Sequence, residues 1–269
     1  MLASLLIVFR EVIEAGLIVG IVLAATKGVP QRARWVGYGV AAGLAGACLV
    51  AAFAAQIAGL FAGSGAELFN AAILLLAVGM LTWHNVWMAS HGRDMAAEAR
   101  RIGGAVASGD RTLSALAIVV GIAVLREGSE VVLFLYGIAN QGGSSAAALL
   151  SGGALGLAAG AALSAVIYFG LVAIPMHRLF AVTTALITLL AAGMAAQAIL
   201  FIQQGGYLEY LTSTIWDTSW LLPQDSLVGR LLHTLIGYSD APNGAQLVFY
   251  IATVALIGGL MRLERRNRT

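Results

Sequence analysis

Six ionisable residues in this 269-residue chain are spaced to act together. Arg10-Glu11-Val12-Ile13-Glu14 and Arg126-Glu127-Gly128-Ser129-Glu130 share one pattern: an arginine, an acid beside it, and a second acid three residues further on. On a helix turning by about 100° per residue, each arginine and its two acids fall within ~100° of arc, and the residues between the acids point elsewhere. The acids are then i, i+3 neighbours, and the arginine pairs with the second acid at i, i+4. Two such arcs face to face would gather four carboxylates and two guanidiniums. Carboxylate oxygen is a hard donor suited to Mg²⁺, Ca²⁺, Mn²⁺ and especially iron, and a bound multivalent cation offsets the repulsion among the acids. Glu11, Glu14, Glu127 and Glu130 are therefore the candidate metal ligands. Arg10 and Arg126 ligate no metal but can orient the carboxylates. The alternative is a buried ion-pair network that locks helices together, and the duplication of the motif weighs against it.

Both motifs lie inside long apolar runs. The chain is 60% hydrophobic and 10% charged, with a mean hydropathy of +0.90, where soluble domains carry roughly 25% charge. A soluble fold of this composition would expose more apolar surface than water tolerates, so a soluble enzyme, a disordered chain and a nucleic-acid binder are excluded. The runs are too long and too uniformly apolar for the alternation of a transmembrane barrel. The fold class read from this is all-α: a polytopic membrane protein of seven transmembrane helices, at about 2–25, 36–61, 67–89, 113–139, 146–173, 179–202 and 245–262, each near the ~20 residues that cross the hydrocarbon core. The 33 glycines suit close helix packing. Cys48, the single cysteine, reads as a small core residue. The first run has no basic leader and is interrupted by Arg10, Glu11 and Glu14, unlike a cleaved signal peptide.

An ionisable residue at the bilayer centre costs about 2.5–3.5 kcal/mol on insertion scales, so the motifs' six facing lipid would cost roughly 15–20 kcal/mol. They must face the bundle interior and one another.

Basic residues set the orientation. Lys27, Arg32, Arg34, Arg93, Arg100, Arg101, Arg111, Arg178, Arg262, Arg265, Arg266 and Arg268 fall on one side of the seven spans, and Arg230 alone on the other. The expected N-terminus is outside and the C-terminus cytoplasmic. Glu67, Glu209, Asp217, Asp225 and Asp240 fall on the outer side, where acids concentrate cations, although outer loops poor in Lys and Arg also follow from topology alone.

The chain repeats itself. The two motifs are 116 residues apart. Leu75-Leu76-Ala77-Val78-Gly79-Met80 returns as Leu189-Leu190-Ala191-Ala192-Gly193-Met194, 114 residues on, and Gly43-Leu44-Ala45 as Gly156-Leu157-Ala158, 113 on. This predicts two three-helix repeats plus a seventh helix. An odd number of spans inverts the second copy, the architecture that puts a transporter's site at the midplane between repeats. The expected organisation is one membrane domain: repeat one over 1–89, a cytoplasmic loop over 90–112, repeat two over 113–202, an outer segment over 203–244, and a seventh helix with a basic tail over 245–269.

With these motifs in the first and fourth of seven spans, the chain resembles the high-affinity iron permeases, the fungal Ftr type and the bacterial EfeU type. Trp216-Asp217-Thr218-Ser219-Trp220-Leu221-Leu222, then Leu232-His233-Thr234-Leu235-Ile236-Gly237-Tyr238, Pro242 and Gln246, resembles the bacterial branch. The family's commonest first motif has Gly-Leu between the acids where this chain has Val-Ile, at positions facing away from the cluster. The resemblance implies iron import across the cytoplasmic (inner) membrane of a bacterium, with the motif glutamates handling iron. It also implies an external or periplasmic partner that oxidises ferrous iron and delivers it as ferric iron. Iron is then transported substrate, no cofactor is expected, and the remaining partner is membrane lipid.

Other residues carry weaker signals. Residues 226–238 are too short to span and read as an amphipathic helix on the outer interface, with Ser226 as N-cap, Gly237 as stop and His233 on the polar half. Asp217 and Asp225 could receive iron from outside, although Asp217 could equally cap a turn through Thr218 and Ser219. Met80, His84, Met88 and His91 recur at helical spacing and could form an exit path, although such a stripe is more often packing and His91 is expected in water. Gln56, Asn70, Thr183, Thr184 and Gln197 are expected to bond between helices. The mixed charges of 93–111 read as a solvated loop. A permease for another hard cation such as manganese is the first competing function. An intramembrane carboxylate-metal enzyme is the second, and no glutamate has a histidine three residues later, as helical di-iron sites do. The expectation is that the chain is not an enzyme.

Overall fold

In a computed structural model, which describes residues 1–60, 66–140, 145–170 and 176–266, the chain is helical, with no strand among the described residues. The helices are α1 (Leu2–Ala25), α2 (Arg32–Leu60), α3 (Ala66–Ala107), α4 (Ser114–Asn140), α5 (Ala146–Tyr168), α6 (Met176–Gln204), α7 (Leu227–Ile236) and α8 (Gly244–Arg266). Five of them are long and apolar enough to cross a membrane, within α2, α3, α5, α6 and α8. α1 and α4 are of similar length, 24 and 27 residues, but each carries three ionisable residues.

Local chemistry sets the helix ends. α1 stops at Thr26, whose hydroxyl donates to Val22 O at 2.7 Å, and Arg32 Nη1 donates to Leu23 O at 2.8 Å, satisfying a terminal carbonyl. Ser145 accepts from Ala148 N at the start of α5. Asn243 and Gln246 cap α8 reciprocally, each side-chain oxygen accepting the other's backbone N–H at 2.9–3.0 Å. α7 begins at Ser226, whose Oγ accepts from Gly229 N, and ends at Gly237 in the left-handed conformation at φ 70°; both of its expected ends are found.

Two expectations need correction. The stretch read as a loop over 93–111 continues α3 as helix to Ala107. Its charges occupy one face, where Glu98 and Arg101 pair at 2.5–2.7 Å. Met95, Ala99, Ile102 and Val106 line the other, with Ala99 and Val106 buried beside Val22 and Leu116. At about 1.5 Å per residue, the 42-residue α3 is about 63 Å long, twice the ~30 Å hydrocarbon core. Cys48 is exposed rather than buried. Ala47, about 100° round the helix, takes the inner place and limits the room at Gly128. Arg268, and the turn over 171–175 before Arg178, lie outside the described residues.

The helices pack as α1 on α5, α2 on α4 and α3 on α6, with α8 against α6 and α3. Glycines permit the first two approaches, and they do so in parallel fashion. A Cβ on Gly43 would meet Gly121 O, Val124 Cβ and Leu125 N, and a Cβ on Gly156 would meet Leu5 O, Val8 Cβ and Phe9 N. The glycines are 113 residues apart and each of the three partners 116 apart, the same offsets found in the sequence.

Two apolar layers bound the centre. One gathers Ala3, Ile7, Leu74, Leu81, Phe134, Ile138 and Met194. The other gathers Ile18, Val22, Leu116, Val120, Ala123 and Val106. α1 runs from the first layer to the second and α4 from the second to the first. The stretches between the layers, 10–14 and 126–130, are the two charged motifs.

Candidate metal centre

The two motifs converge, and a third helix joins them. Arg10, Glu11, Glu14 and Glu127 are buried, with Arg10 only 1% exposed. Arg10 Nε lies 3.0 Å from Glu14 Oε1 and Nη1 3.6 Å from Glu11 Oε1. In the second motif Arg126 Nε lies 3.2 Å from Glu130 Oε1 and 3.8 Å from Glu127 Oε1. The i, i+4 pairing expected of each arginine is present in both motifs.

His84 of α3 stands between them. Its Nε2 faces Glu11 Oε2 at 3.7 Å and Glu14 Oε2 at 3.8 Å, and its Nδ1 contacts Glu130 Oε2. One ligand atom from each of Glu11, His84, Glu127 and Glu130 lies within 4.8 Å of the others. Oxygen and nitrogen donors about 2.1 Å from a shared ion stand about 3–4.2 Å apart, so the cluster needs little adjustment to surround one cation. Both oxygens of Glu11 and of Glu14, one oxygen each of Glu127 and Glu130, and both His84 nitrogens lack a well-directed hydrogen bond. Those of Glu11, Glu14, Glu130 and His84 are held in ion pairs instead. A multivalent cation would satisfy several at once.

The two halves differ in exposure. The Arg126 side chain is 28% exposed and that of Glu130 15%. The Arg126 guanidinium lies 3.8 Å from the centre of the Trp87 ring, a cation–π contact, and Nη1 reaches Met95 Sδ at 3.5 Å. His91 stacks on the same Trp87 ring, nearly parallel at 4.7 Å between centroids, and its Nδ1 is 3.2 Å from Trp87 O. It is half-buried in that stack rather than free in water.

His84 belongs inside the acidic cluster, and its helical spacing from Met80 and Met88 does not by itself place it there. Met80 lines a cavity of about 500 Å³ that also touches His84, Glu130, Gly79 and Trp83. Met88 is half-buried one turn beyond His84. The signal available in sequence was His84-Asn85, two polar residues deep in an apolar span, since intramembrane ionisable groups mark functional sites. Asn85 Nδ2 reaches Thr188 Oγ1 at 3.5 Å, a long contact joining α3 to α6. Among residues expected to bond between helices, Thr183 donates to Phe180 O within α6 and Gln56 is exposed.

On the outer segment, Asp217 is exposed and accepts from Ser219 Oγ at 2.6 Å and Ser219 N at 2.9 Å. These bonds, the hydroxyl's first, hold its carboxyl below the usual carboxylate range. Asp217 therefore forms the turn that was one of its two readings. Asp225 is exposed, and its carbonyl accepts from Arg230 Nε at 2.8 Å. Asp240 accepts from Gln224 N, and Tyr238 OH donates to Leu222 O, both at 2.9 Å. These clips shape a cavity of about 520 Å³ lined in part by Gln197, Trp216, His233, Asp240 and Gln246.

The chain is similar to known proteins over its whole length. The family model described as "Iron permease FTR1 family" matches residues 1–265. The chain is 31% identical over 274 residues to "Ferrous iron permease EfeU" of Escherichia coli O6:K15:H31 (strain 536 / UPEC), covering 100% of this chain and 98% of that one. It is 33% identical over 256 residues to "Ferrous iron permease EfeU" of Yersinia pestis, covering 93% and 89%. No solved structure matches.

Proposed function

Since the chain belongs to the FTR1 iron permease family, we propose that it imports iron across the cytoplasmic membrane through the chamber between α1, α3 and α4. Glu11, Glu14, Glu127 and Glu130 take the ion, and Arg10 and Arg126 hold the carboxylates in place before and after it passes. The observation that supports this most directly is the convergence of both motifs within one buried volume, with donor atoms from Glu11, Glu127, Glu130 and His84 within 4.8 Å of one another.

In this reading seven helices cross the membrane as two inverted three-helix repeats and a seventh helix, with the N-terminus outside and the C-terminus in the cytoplasm. The paired glycine contacts and the opposed directions of α1 and α4 support the inversion. Iron arrives near Asp217 and Asp225 and leaves past Met88, one turn beyond His84; Met80 packs against the apolar layer on the outer side of the chamber. The carboxylate-rich donor set suits ferric iron supplied by an external oxidising partner. A second reading, uptake as ferrous iron, is favoured by the names of the relatives.

Proteoliposome uptake with Fe²⁺ and Fe³⁺ supplied separately from outside tests both readings. Glu14→Gln and Glu130→Gln are expected to abolish uptake while leaving the protein inserted. Normal uptake by both variants removes the carboxylates from the mechanism. Preferential accumulation of manganese over iron, or catalytic turnover in purified protein that moves no ion, overturns the assignment as an iron permease.

A further inference from the structure

The chamber contains a nitrogen donor that the motif does not supply. His84 comes from α3, is 1% exposed, and directs both ring nitrogens at carboxylates: Nε2 at Glu11 and Glu14, Nδ1 at Glu130. Phe134 holds the ring from the side, edge-to-face with centroids 6.2 Å apart. Its position is not a requirement of the repeat: the 114-residue offset that relates Gly79 to Gly193 relates His84 to Ala198, a buried residue of the apolar layer. The imidazole is therefore an addition to one half of a duplicated design, made where the two acidic arcs meet.

The chemistry of that addition is specific. A chamber of carboxylates alone is a hard-oxygen site that Mg²⁺ and Ca²⁺ can also occupy. An imidazole strengthens binding of iron and its neighbours and adds little for the alkaline-earth ions. We propose that His84 is a nitrogen ligand of the transported ion and the residue by which the chamber selects iron over Mg²⁺ and Ca²⁺. This inference rests on the reading of the motif carboxylates as iron ligands.

Competition separates a ligand from a spacer. In proteoliposomes, His84→Gln retains volume and polarity but loses the nitrogen donor. Affinity for iron falls and affinity for Mg²⁺ does not, so at an iron concentration that stays saturating for both proteins the Mg²⁺ concentration that halves iron uptake is expected to fall by about tenfold, as does that of Ca²⁺. A variant that is merely misshapen loses uptake with the ratio unchanged, and that result overturns the proposal. A second measurement leaves His84 in place. Replacing His91, His177 and His233 by glutamine makes His84 the sole imidazole among the chain's four. Loaded with Mn²⁺ as probe, this protein is expected to show nitrogen modulation of the manganese electron-spin echo. Its absence overturns the proposal whether or not His84→Gln inserts. The two ideas fail differently: normal uptake by Glu14→Gln and Glu130→Gln removes the carboxylate reading, whereas loss of uptake there with wild-type selectivity in His84→Gln removes only the histidine.

Discussion

Arg10 and Arg126 occupy equivalent places in the two motifs yet hold their acids in different surroundings. Arg10 bridges Glu14 at 3.0 Å and Glu11 at 3.6 Å in full burial, and a planar fork can serve two carboxylates at once. Arg10→Lys keeps the charge but replaces the fork by a point donor, so iron uptake should fall by about tenfold with membrane insertion unchanged. Wild-type uptake in that variant would make the geometry of this pair irrelevant to transport. These pairs were legible in the sequence because i, i+4 spacing is an intrahelical rule, and the second pair forms at 3.2 Å as the first does at 3.0 Å. His84 was not legible in its role. Its partners lie 73 and 70 residues before it and 46 after it, on other helices, and periodicity along α3 could align it only with Met80 and Met88.

At the scale of helices, the contacts at Gly43 and Gly156 are close enough that any side chain meets a neighbouring backbone. Gly43→Leu and Gly156→Leu should each lower the thermal stability of the purified protein, by about 1–3 kcal/mol of overpacking or more, and by similar amounts because their neighbours correspond. Gly104, in the exposed part of α3 with open space at its Cβ position, gives the opposite result: Gly104→Ala should stabilise by about 0.4–1 kcal/mol. Unequal losses at Gly43 and Gly156 in a melting experiment would contradict the correspondence. The offsets of the repeat were readable in advance, and so were the ends of α7, since Ser226 and Gly237 act through backbone geometry that any sequence context shares. The run from Arg93 to Ala107 resembles a loop by its charges alone, and the stripe of Met95, Ala99, Ile102 and Val106 beneath them is what makes it helix. A helix that leaves a membrane and packs beside other helices needs only that narrow apolar edge.

Across the whole molecule, large apolar side chains are exposed on most of the long helices, among them Leu49, Phe53, Leu76, Trp83, Ile122, Leu150 and Ile251. A surface of this kind is stable in hydrocarbon and prone to association in water. Cys48 shares the exposed side of α2 with Leu44 and Leu49. In intact vesicles a charged, membrane-impermeant maleimide should therefore leave Cys48 unmodified, because the reagent does not enter the lipid that covers this side of α2; labelling is expected after denaturation. In a Cys48→Ser background, Thr269→Cys should react only from the cytoplasmic face, and labelling from outside would reverse the orientation. The all-helical class was legible from composition, which no soluble fold could accommodate. The third partner in the chamber was set by how α3 packs between α1 and α4, a tertiary fact that span counting does not reach.

The unequal exposure of the two arginines has a consequence for how the molecule works. A guanidinium at bilayer depth that is 28% uncovered must meet either acyl chains or water, and the energetic cost of the first leaves the second. On the proposed reading, the Trp87 face and Met95 border the wetted approach to Arg126, and Arg10 lies on the covered side of the same cluster. An aqueous probe entering there would meet the second motif before the first.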